Sequence, residues 1–343
     1  MTSDNEQDIT NGIIKVVSGQ QRKVYFTQGH GEKDTVSAER DGYNGIAGAL
    51  GRENYTVDKL VLAQQGAVPD DASVVVVAGP RTDFFAPEIE ALKKYLDKSG
   101  KLLLELDPPD KADSQPLTNL IAVAHDWGVQ VGDNVVVDVS GMGRLIGTDA
   151  SVPVAANYPP HPITQRFSFI TAYPLAREAS PVAGGVNGHT AQPFVESSPR
   201  SWAETDIKSL LTSGQVALDE AKGDKKGPVS IAAAVSAPVT SSEAPKPGDN
   251  GDTPKPETRV VVFGDSDFAA NATLQIQGNR DLFLNTIGWL SQQENLISIR
   301  PKEAGDSRLT LTSSVQSFIM WLALLIIPAF IFSTGIYTWW RRR

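Results

Sequence analysis

Apolar runs and amphipathic segments alternate along the first third of the chain. The pattern predicts strands at residues 24–26, 55–62 and 72–80, and the third is a continuous apolar run. Such a run is typical of a parallel strand that is buried on both faces of its sheet. Amphipathic helices are predicted at 42–52 and 86–98. This order of strands and helices predicts an α/β fold with a doubly wound parallel sheet.

The pattern changes in the middle of the chain. A strand at 101–106 and a helix at 117–127 continue the alternation, and residues 128–235 then predict a β-rich insertion of short strands in turn-rich sequence. The strands predicted there lie at 135–139, 167–172, 194–195 and 229–235. Residues 236–258 contain five prolines and almost no large apolar side chain, which predicts an exposed, disordered loop. A buried strand at 259–264 and a helix at 281–292 then return to the α/β pattern.

The C-terminal end is the most apolar part of the chain. Residues 309–340 carry no charge, and a helix over 318–340 would be about 34 Å long at roughly 1.5 Å per residue, enough to span a bilayer. Trp339 and Trp340 are of the type found at membrane interfaces, and the arginines at 341–343 form a positive-inside anchor. We therefore expect a single-pass helix in the inner (cytoplasmic) membrane, with its C-terminus in the cytoplasm.

The predicted organisation follows from these segments. A lead segment at 1–22 contains a helix, an extracytoplasmic (periplasmic) α/β domain occupies 23–304, a linker covers 305–317, and the membrane helix follows. The lead segment lacks the basic and long apolar stretches of a signal peptide. Either the C-terminal helix inserts as a tail anchor and leaves the domain cytoplasmic, or a membrane helix upstream of this chain is missing.

Composition excludes several classes of function. The 343 residues have a formal net charge of -9 and no basic stripe, which argues against nucleic acid as a partner. No cysteine is present, so thiol nucleophiles and cysteine-ligated metals are excluded. No cofactor is expected either: the glycines at 141, 143 and 147 imitate a dinucleotide fingerprint, but the following residues do not predict the helix that this motif requires.

Several polar side chains follow predicted strands and are candidates for ligand or partner contacts. They are His30, Glu32, Asp107, Asp265, Ser266, Asp267 and Asn271. In a doubly wound sheet, the carboxyl ends of the strands are where ligands bind. Three carboxylates there suggest a Mg²⁺ or Ca²⁺ site or a sugar site, but no ligand-spaced loop is present, so no metal site is predicted. The glycines beside His30 are expected to let the chain turn off the first strand.

Ser266 suggests an enzyme as the alternative. The stretch "FGDSDF" resembles the nucleophile block of a class of serine esterases, in which a histidine follows the serine and acts as base. All four histidines here precede Ser266. A membrane-anchored hydrolase would therefore need a rearranged triad in which His30 acts as base with Glu32 or Asp265.

The motifs in their order resemble a known family. They are "VYFTQGHGEKD", "KLLLELDP", "HPIT", "RVVVFGDSDFAAN", "NRDLFLNTIGWLSQQENLISIRPK" and the terminal apolar helix. Together they resemble the GldG-type auxiliary components of ABC transport systems, of which gliding-motility proteins are the type case. Their soluble region is similar to the GIFT domain of intraflagellar-transport proteins. The resemblance covers about residues 8–343.

The resemblance implies a flavodoxin-like sheet similar to that of class I glutamine amidotransferases, without their chemistry, because that nucleophile is a cysteine. It also implies a non-catalytic subunit that works with a separate ABC permease and ATPase and binds a partner protein or substrate outside the membrane. Family members usually carry a membrane helix before the Gly-His-Gly-Glu strand. This sequence contains none there, as expected of a fragment.

Overall fold

The computed structural model describes residues 22–109, 114–214, 216–239, 256–292 and 321–342. The chain divides into two compact units, Met1–Arg300 and Pro301–Arg343. The first unit contains all of the strands described below, and the second contains a single helical segment.

A seven-stranded mixed sheet forms the centre of the first unit. Five of its strands are parallel, and their order across the sheet is β2-β1-β3-β4-β14. Their bounds are Arg22–Thr27 (β1), Tyr55–Leu60 (β2), Ala72–Ala78 (β3), Lys101–Glu105 (β4) and Glu257–Phe263 (β14). Counting β14 as the fifth parallel strand, this is the 2-1-3-4-5 order of flavodoxin-like sheets. The predicted parallel α/β core is therefore confirmed.

Helices cover both faces of this sheet. One buried cluster joins the side chains of Val24 and Phe26 to α1 (Asn44–Arg52) and α7 (Gln277–Leu290). The other joins Tyr25 to the helices on the opposite face, since successive strand residues point to opposite faces. These helices are α2 (Leu62–Gln65), α3 (Ala86–Asp97) and α4 (Thr118–Asp126). The continuous apolar runs of β3 and β4 are explained by this burial on two sides.

The segment at 128–235 is only partly a separate insertion. Two of its strands extend the central sheet: β13 (Ser230–Pro238) pairs antiparallel with β14, and β10 (Gln192–Glu196) pairs antiparallel with β13. The remaining strands form three small sheets. They are β5 (Val129–Val131), β6 (Val135–Asp138), β7 (Val154–Ala155), β8 (Thr171–Ala172), β9 (Ala179–Pro181), β11 (Ser201–Glu204) and β12 (Lys225–Lys226). Two short helices, α5 (Met142–Leu145) and α6 (Ile207–Ser213), lie between them in sequence.

The structure corrects several predicted boundaries. The strand predicted at 167–172 is only the two residues of β8, and α7 begins at Gln277, before the predicted 281. The loop predicted at 236–258 is shorter, because β13 continues to Pro238 and β14 begins at Glu257. Its residues 240–255 lie outside the described residues, as do the lead helix and the linker.

The second unit contains a π-helical turn, Leu322–Ile326, followed by α8 (Ile327–Arg341). No helix within the described ranges is both long and apolar enough to cross a membrane. Residues 318–320 of the predicted membrane helix lie outside those ranges.

Candidate functional site

A pocket of about 800 Å³ opens at the carboxyl edge of the parallel strands. Its wall includes Glu32 and Lys33, which follow β1, and Gly79 and Arg81, which follow β3. β1 and β3 are neighbours in the sheet. From β1 the chain continues to β2 towards one edge of the sheet, and from β3 it continues to β4 towards the opposite edge. The pocket therefore lies at the topological switch point, which is where open α/β sheets bind their ligands.

Three buried side chains, His30, Glu32 and Glu88, form what we call the histidine cluster. The imidazole Nε2 of His30 lies 3.1 Å from Glu88 Oε2, and its Nδ1 lies 3.8 Å from Glu32 Oε1. The His30 backbone N–H donates to Glu32 Oε2 at 2.7 Å. The ring also packs against Phe84, with centroids 4.4 Å apart. His30 is thus held in place by two carboxylates and an aromatic ring.

A second group lies where β4 and β14 end, and we call it the aspartate cluster. It consists of Glu105, Asp107 and Asp265, with Tyr43 and Ser266 as hydroxyl donors. The Ser266 hydroxyl donates to Asp107 Oδ2 at 2.7 Å, and its backbone N–H donates to Oδ1 of the same carboxylate. The Tyr43 hydroxyl lies 2.9 Å from Glu105 Oε2 and also contacts the Ser266 carbonyl. Hydroxyl and backbone N–H groups therefore supply the hydrogen bonds to these acids, whereas Glu105 Oε1 has no hydrogen-bond partner in the described part of the chain.

Asp265 shapes the turn that follows β14. Its carboxylate accepts hydrogen bonds from the backbone N–H groups of Asp267 at 2.8 Å and Phe268 at 3.1 Å. These bonds satisfy the first amides of the short 3₁₀ helix Asp267–Ala269. Asp265 therefore has the role of a buried capping residue.

Burial changes the protonation of the aspartate cluster. It raises the pKa of Glu105 well above the ordinary value, and the charge of Asp107 adds to the rise, whereas the hydrogen bond from Tyr43 opposes it. Burial likewise raises the pKa of Asp265, and the charges of Asp107 and Asp267 add to it. The pKa of Asp107 is also raised, mainly because the surrounding protein limits its hydration. The cluster therefore binds protons more tightly than exposed acids do.

Gly79 allows the close contact between β3 and the aspartate cluster. Its φ is +58°, and a Cβ at this position would lie 2.4 Å from Ser266 Oγ and 2.8 Å from Asp107 Oδ2. Side chains do not tolerate either distance, and the left-handed backbone also favours glycine. A glycine is therefore required where β3 ends.

Two cations lie beside the acids. Lys33 forms an ion pair with Asp267; burial lowers the pKa of Lys33, but the charges of Asp267 and Asp107 raise it more, so the net pKa is raised. The Arg177 guanidinium is held by the backbone carbonyls of Gly132 and Asp107. Arg177 lies 3.7 Å from Asp133, whose side chain is exposed. Each of these cations thus has an acidic neighbour on the pocket wall.

The candidate residues divide into three groups in the structure. Glu32, Asp107 and Asp267 are among the residues that line the pocket, whereas His30, Asp265 and Ser266 are buried and are not among them. Asn271 stabilises the loop before α1, because its Nδ2 donates to the Ser37 and Glu39 carbonyls and its Oδ1 accepts from the Gly45 N–H. It has a structural role.

The rearranged serine triad is not assembled. Ser266 is completely buried, its hydroxyl donates to Asp107, and the His30 imidazole contacts Glu88 and Glu32 instead. Among the described residues, no group of three or more histidine, aspartate or glutamate side chains is arranged to hold a metal ion.

Five residues of the site were not predicted from the sequence: Tyr43, Glu88, Glu105, Lys33 and Arg177. Glu105 is the last residue of the apolar strand "KLLLE", and a lone acid in such a run is a signal of a buried partner. Glu88 occupies the first turn of α3, where it accepts the Phe85 N–H at 2.9 Å, so a capping role was readable there. No local signal marks Tyr43 or Arg177, because their partners are distant in sequence.

A model of the family described as "ABC-type uncharacterized transport system" matches residues 21–288. The chain belongs to this family. The match covers the whole described α/β body up to α7, including the pocket and both acidic clusters. The family is that of an auxiliary component of an ABC-type transport system.

Two curated relatives and one solved structure are also similar. The intraflagellar transport protein 52 homologs of Mus musculus and Homo sapiens are 30% and 29% identical over 105 residues, which is 31% of this chain. The alignment spans only 24% and 23% of those proteins, about a quarter of their length. The solved structure of the mmIFT52 N-terminal domain matches with a TM-score of 0.52 and 16% identity, over 78% of this chain and 97% of that one. This last similarity concerns the fold alone.

Proposed function

We propose that the chain is a membrane-anchored, non-catalytic, GldG-type subunit that works with a separate ABC permease and ATPase. The observation that carries the proposal is the family match over residues 21–288. The α/β body lies outside the cytoplasmic membrane and binds a partner protein or a substrate through the switch-point pocket. The apolar segment at 318–340 anchors it, with the arginines at 341–343 in the cytoplasm.

In this proposal the α/β body is a GIFT-type domain. Its flavodoxin-like sheet is similar to that of class I glutamine amidotransferases. Similarity to the intraflagellar transport protein 52 homologs supports this assignment. The absence of catalysis is supported by Ser266, because its buried hydroxyl is committed to Asp107 and no imidazole contacts it in the described part of the chain. A nucleophile needs both a base and access to its substrate.

Co-purification tests the partnership with the transporter. The full chain, extracted in a mild detergent from the cells that make it, is expected to bring down one ABC permease and one ATPase. In this proposal the helix at 318–340 also docks to the permease. A control chain in which these residues are replaced by an unrelated apolar membrane helix therefore keeps the anchor and should lose the permease. Recovery of neither subunit with the unaltered chain would contradict the proposal.

Protease accessibility tests the topology. In cells whose outer barrier has been opened, added protease is expected to digest the body while an epitope tag after Arg343 stays protected. Lysis should then expose the tag. Protection of the body in intact inner-membrane vesicles of the right-side-out orientation would place it in the cytoplasm and would overturn the proposed location.

A further inference from the structure

Helix α6 (Ile207–Ser213) carries an apolar stripe that is not buried. Ile207, Leu210 and Leu211 are spaced three and four residues apart, so their side chains lie on one side of the helix. A helix with such a stripe is expected to pack it against the body of its protein. Here no residue of α6 is buried, and Leu211 is 39% exposed. The apolar side of α6 therefore has contacts still to gain.

The position of Leu211 shows which surface the stripe can contact. Leu211 is one of the residues that line the switch-point pocket. The apolar lining of this pocket also includes Leu117, Ile121, Val131, Val135, Pro174 and Leu175. Ile121 and Leu175 are only partly buried, so they too have apolar surface left to cover. The apolar side of α6 and the apolar lining of the pocket are thus suited to each other.

Hydrogen bonds at both ends make α6 a unit that can move as a whole. Asp206 accepts the Ser209 backbone N–H at 3.0 Å and the Ser209 hydroxyl at 2.7 Å. At the other end, Gly214 has a φ of +65° and donates its N–H to the Leu210 carbonyl at 3.0 Å. A helix of this length is marginal on its own in water, and these two caps hold it where packing does not.

The two flanks of α6 are held together by one buried carboxylate. Asp224 accepts the backbone N–H and the hydroxyl of Thr205, both at 2.9 Å, and the backbone N–H of Asp219 at 2.8 Å. Thr205 comes directly before the cap residue Asp206, and Asp219 follows Gly214 in sequence. Asp224 therefore fixes the base from which α6 projects, while the helix itself lies beyond that base.

We propose that α6 is a lid of the switch-point pocket, which closes by turning about the base held by Asp224 and moving Leu211 against the apolar lining. Closure buries apolar surface that this structure leaves exposed, and this favours the closed state. Because the stripe is short, the gain is small, and both states are populated. This inference rests on the proposed function and deepens it, because it names how access to the binding pocket is regulated.

The rate of thiol labelling inside the pocket tests the lid. The chain has no cysteine, so Ile121→Cys places a single thiol on α4 in the pocket lining of the full chain in detergent. In this background, Leu211→Ser removes the apolar contact that favours closure. The rate of labelling by a bulky maleimide is then expected to rise about threefold, because the rate follows the open fraction. An unchanged or lower rate would overturn the inference.

A second leucine provides the matched control. Leu218 is 40% exposed, almost the same as Leu211, but it is not among the residues that line the pocket. Leu218→Ser in the Ile121→Cys background should leave the labelling rate unaltered. An equal rise in both variants would mean that the rate does not report on α6, and it would overturn the lid. If circular dichroism shows that Leu211→Ser does not fold, the distances between spin labels decide.

Those distances measure the motion directly. Labels at Thr212→Cys and Lys94→Cys, which are exposed positions on α6 and α3, are expected to show two distances in the chain that keeps Leu211. Labels at Lys226→Cys and Lys94→Cys should show one, because β12 lies beyond the base of the lid. A single distance for the first pair, with no more spread than that of the second, would overturn the inference.

These measurements need no transporter, so they separate the lid from the proposed function. Failure to recover a permease would contradict the proposed function without changing the labelling rates or the distances. A single position of α6 would contradict the lid without changing co-purification.

Discussion

The histidine cluster and the aspartate cluster both gather acids at the carboxyl edge, but the acids have different partners in the two clusters. In the histidine cluster, one imidazole lies between two carboxylates. In the aspartate cluster, hydroxyl and backbone N–H groups supply the hydrogen bonds, and burial raises the pKa values of the acids. The first cluster thus depends on a side-chain contact, whereas the second depends on close packing and on hydroxyl and backbone donors.

The packing of the aspartate cluster gives the largest expected effect. Gly79→Ala should lower the free energy of unfolding by about 3 kcal/mol, because it adds backbone strain to a clash with Ser266 Oγ. Urea denaturation followed by circular dichroism measures the loss. A loss below about 1 kcal/mol would show that the contact between β3 and the cluster is loose.

Two glycines provide matched controls for Gly79. Gly66 has a φ of +68° with open space around it, so Gly66→Ala should cost only the strain, about 1 kcal/mol. Gly31, beside the histidine cluster, has a φ of +81°, and its Cβ would meet the exposed Arg81 side chain at 3.1 Å. Because the contact is with the Arg81 Cβ, which moves only with its backbone but needs to yield by only a few tenths of an ångström, Gly31→Ala should cost more than Gly66→Ala and less than Gly79→Ala. Equal losses at Gly79 and Gly31 would remove the proposed difference in packing.

The contact between His30 and Glu88 gives the next largest effect. Glu88→Ala removes the carboxylate that contacts His30 and the Phe85 N–H, and should cost about 2 kcal/mol of unfolding free energy. A double-mutant cycle with His30→Ala should show a coupling energy of about 1 kcal/mol. Glu90→Ala, on the exposed face of the same helix, should change stability by less than about 0.5 kcal/mol. Additive losses would mean that the contact contributes nothing.

The core of the fold was readable from the sequence, whereas much of the site was not. The apolar runs of β3 and β4 and the amphipathic pattern of α3 are local signals. A strand that is buried on both faces is apolar throughout, whereas a helix that is buried on one face is apolar only along that face. The position of β13 beside β14 is not local: a two-sided apolar strand looks the same wherever it pairs. This is why residues 128–235 were predicted to be an insertion.

The site shows the same division. Asp107 and Asp265 were predicted because they follow strands, and the carboxyl-edge rule then brings them together. Glu88 looks like an ordinary exposed helix residue until β1 places His30 against it. Asn271 was predicted as a site residue for its position after β14, but its hydrogen bonds to the loop before α1 depend on tertiary structure. The carboxyl-edge rule therefore predicts site residues only where they follow the ends of strands.

A smaller effect distinguishes the hydroxyl bond of a fully buried serine from that of a partly exposed serine. Ser266→Ala removes the donor to Asp107 Oδ2 and should cost about 1.5 kcal/mol of unfolding free energy. Ser209 makes the same bond to Asp206 Oδ2, also at 2.7 Å, on the solvent-facing helix α6. Because water can replace that bond, Ser209→Ala should cost only a few tenths of a kcal/mol. Equal costs would mean that burial does not strengthen the Asp107 contact.

The same Ser266→Ala chain tests the hydrolase alternative. If Ser266 is structural, any residual hydrolysis of a panel of p-nitrophenyl esters should be unchanged by the substitution. A loss of ester hydrolysis that is confined to Ser266→Ala and absent from Ser209→Ala would assign Ser266 a catalytic role and contradict the non-catalytic proposal.

The smallest effect is a pH dependence in the aspartate cluster. Burial raises the pKa of Glu105 in the folded protein above its ordinary value of 4.5, so the folded state binds this proton more tightly than the unfolded state does. The resulting stability is fully present below about pH 4.5 and is lost as the pH rises through the raised pKa. Asp107 and Asp265 have raised pKa values too, and they act in the same direction.

Glu105→Gln should therefore reduce the loss of stability between pH 5 and pH 8 without abolishing it. The amide keeps an acceptor for the Tyr43 hydroxyl but no longer titrates, and the two aspartates maintain the remaining slope. Melting temperatures of the unaltered chain, Glu105→Gln and the exposed control Glu90→Gln across this range measure the difference. The control should follow the unaltered chain. An unchanged slope in Glu105→Gln would mean that Glu105 releases no proton in this range and is already ionised, with Lys33 rather than a proton offsetting its charge.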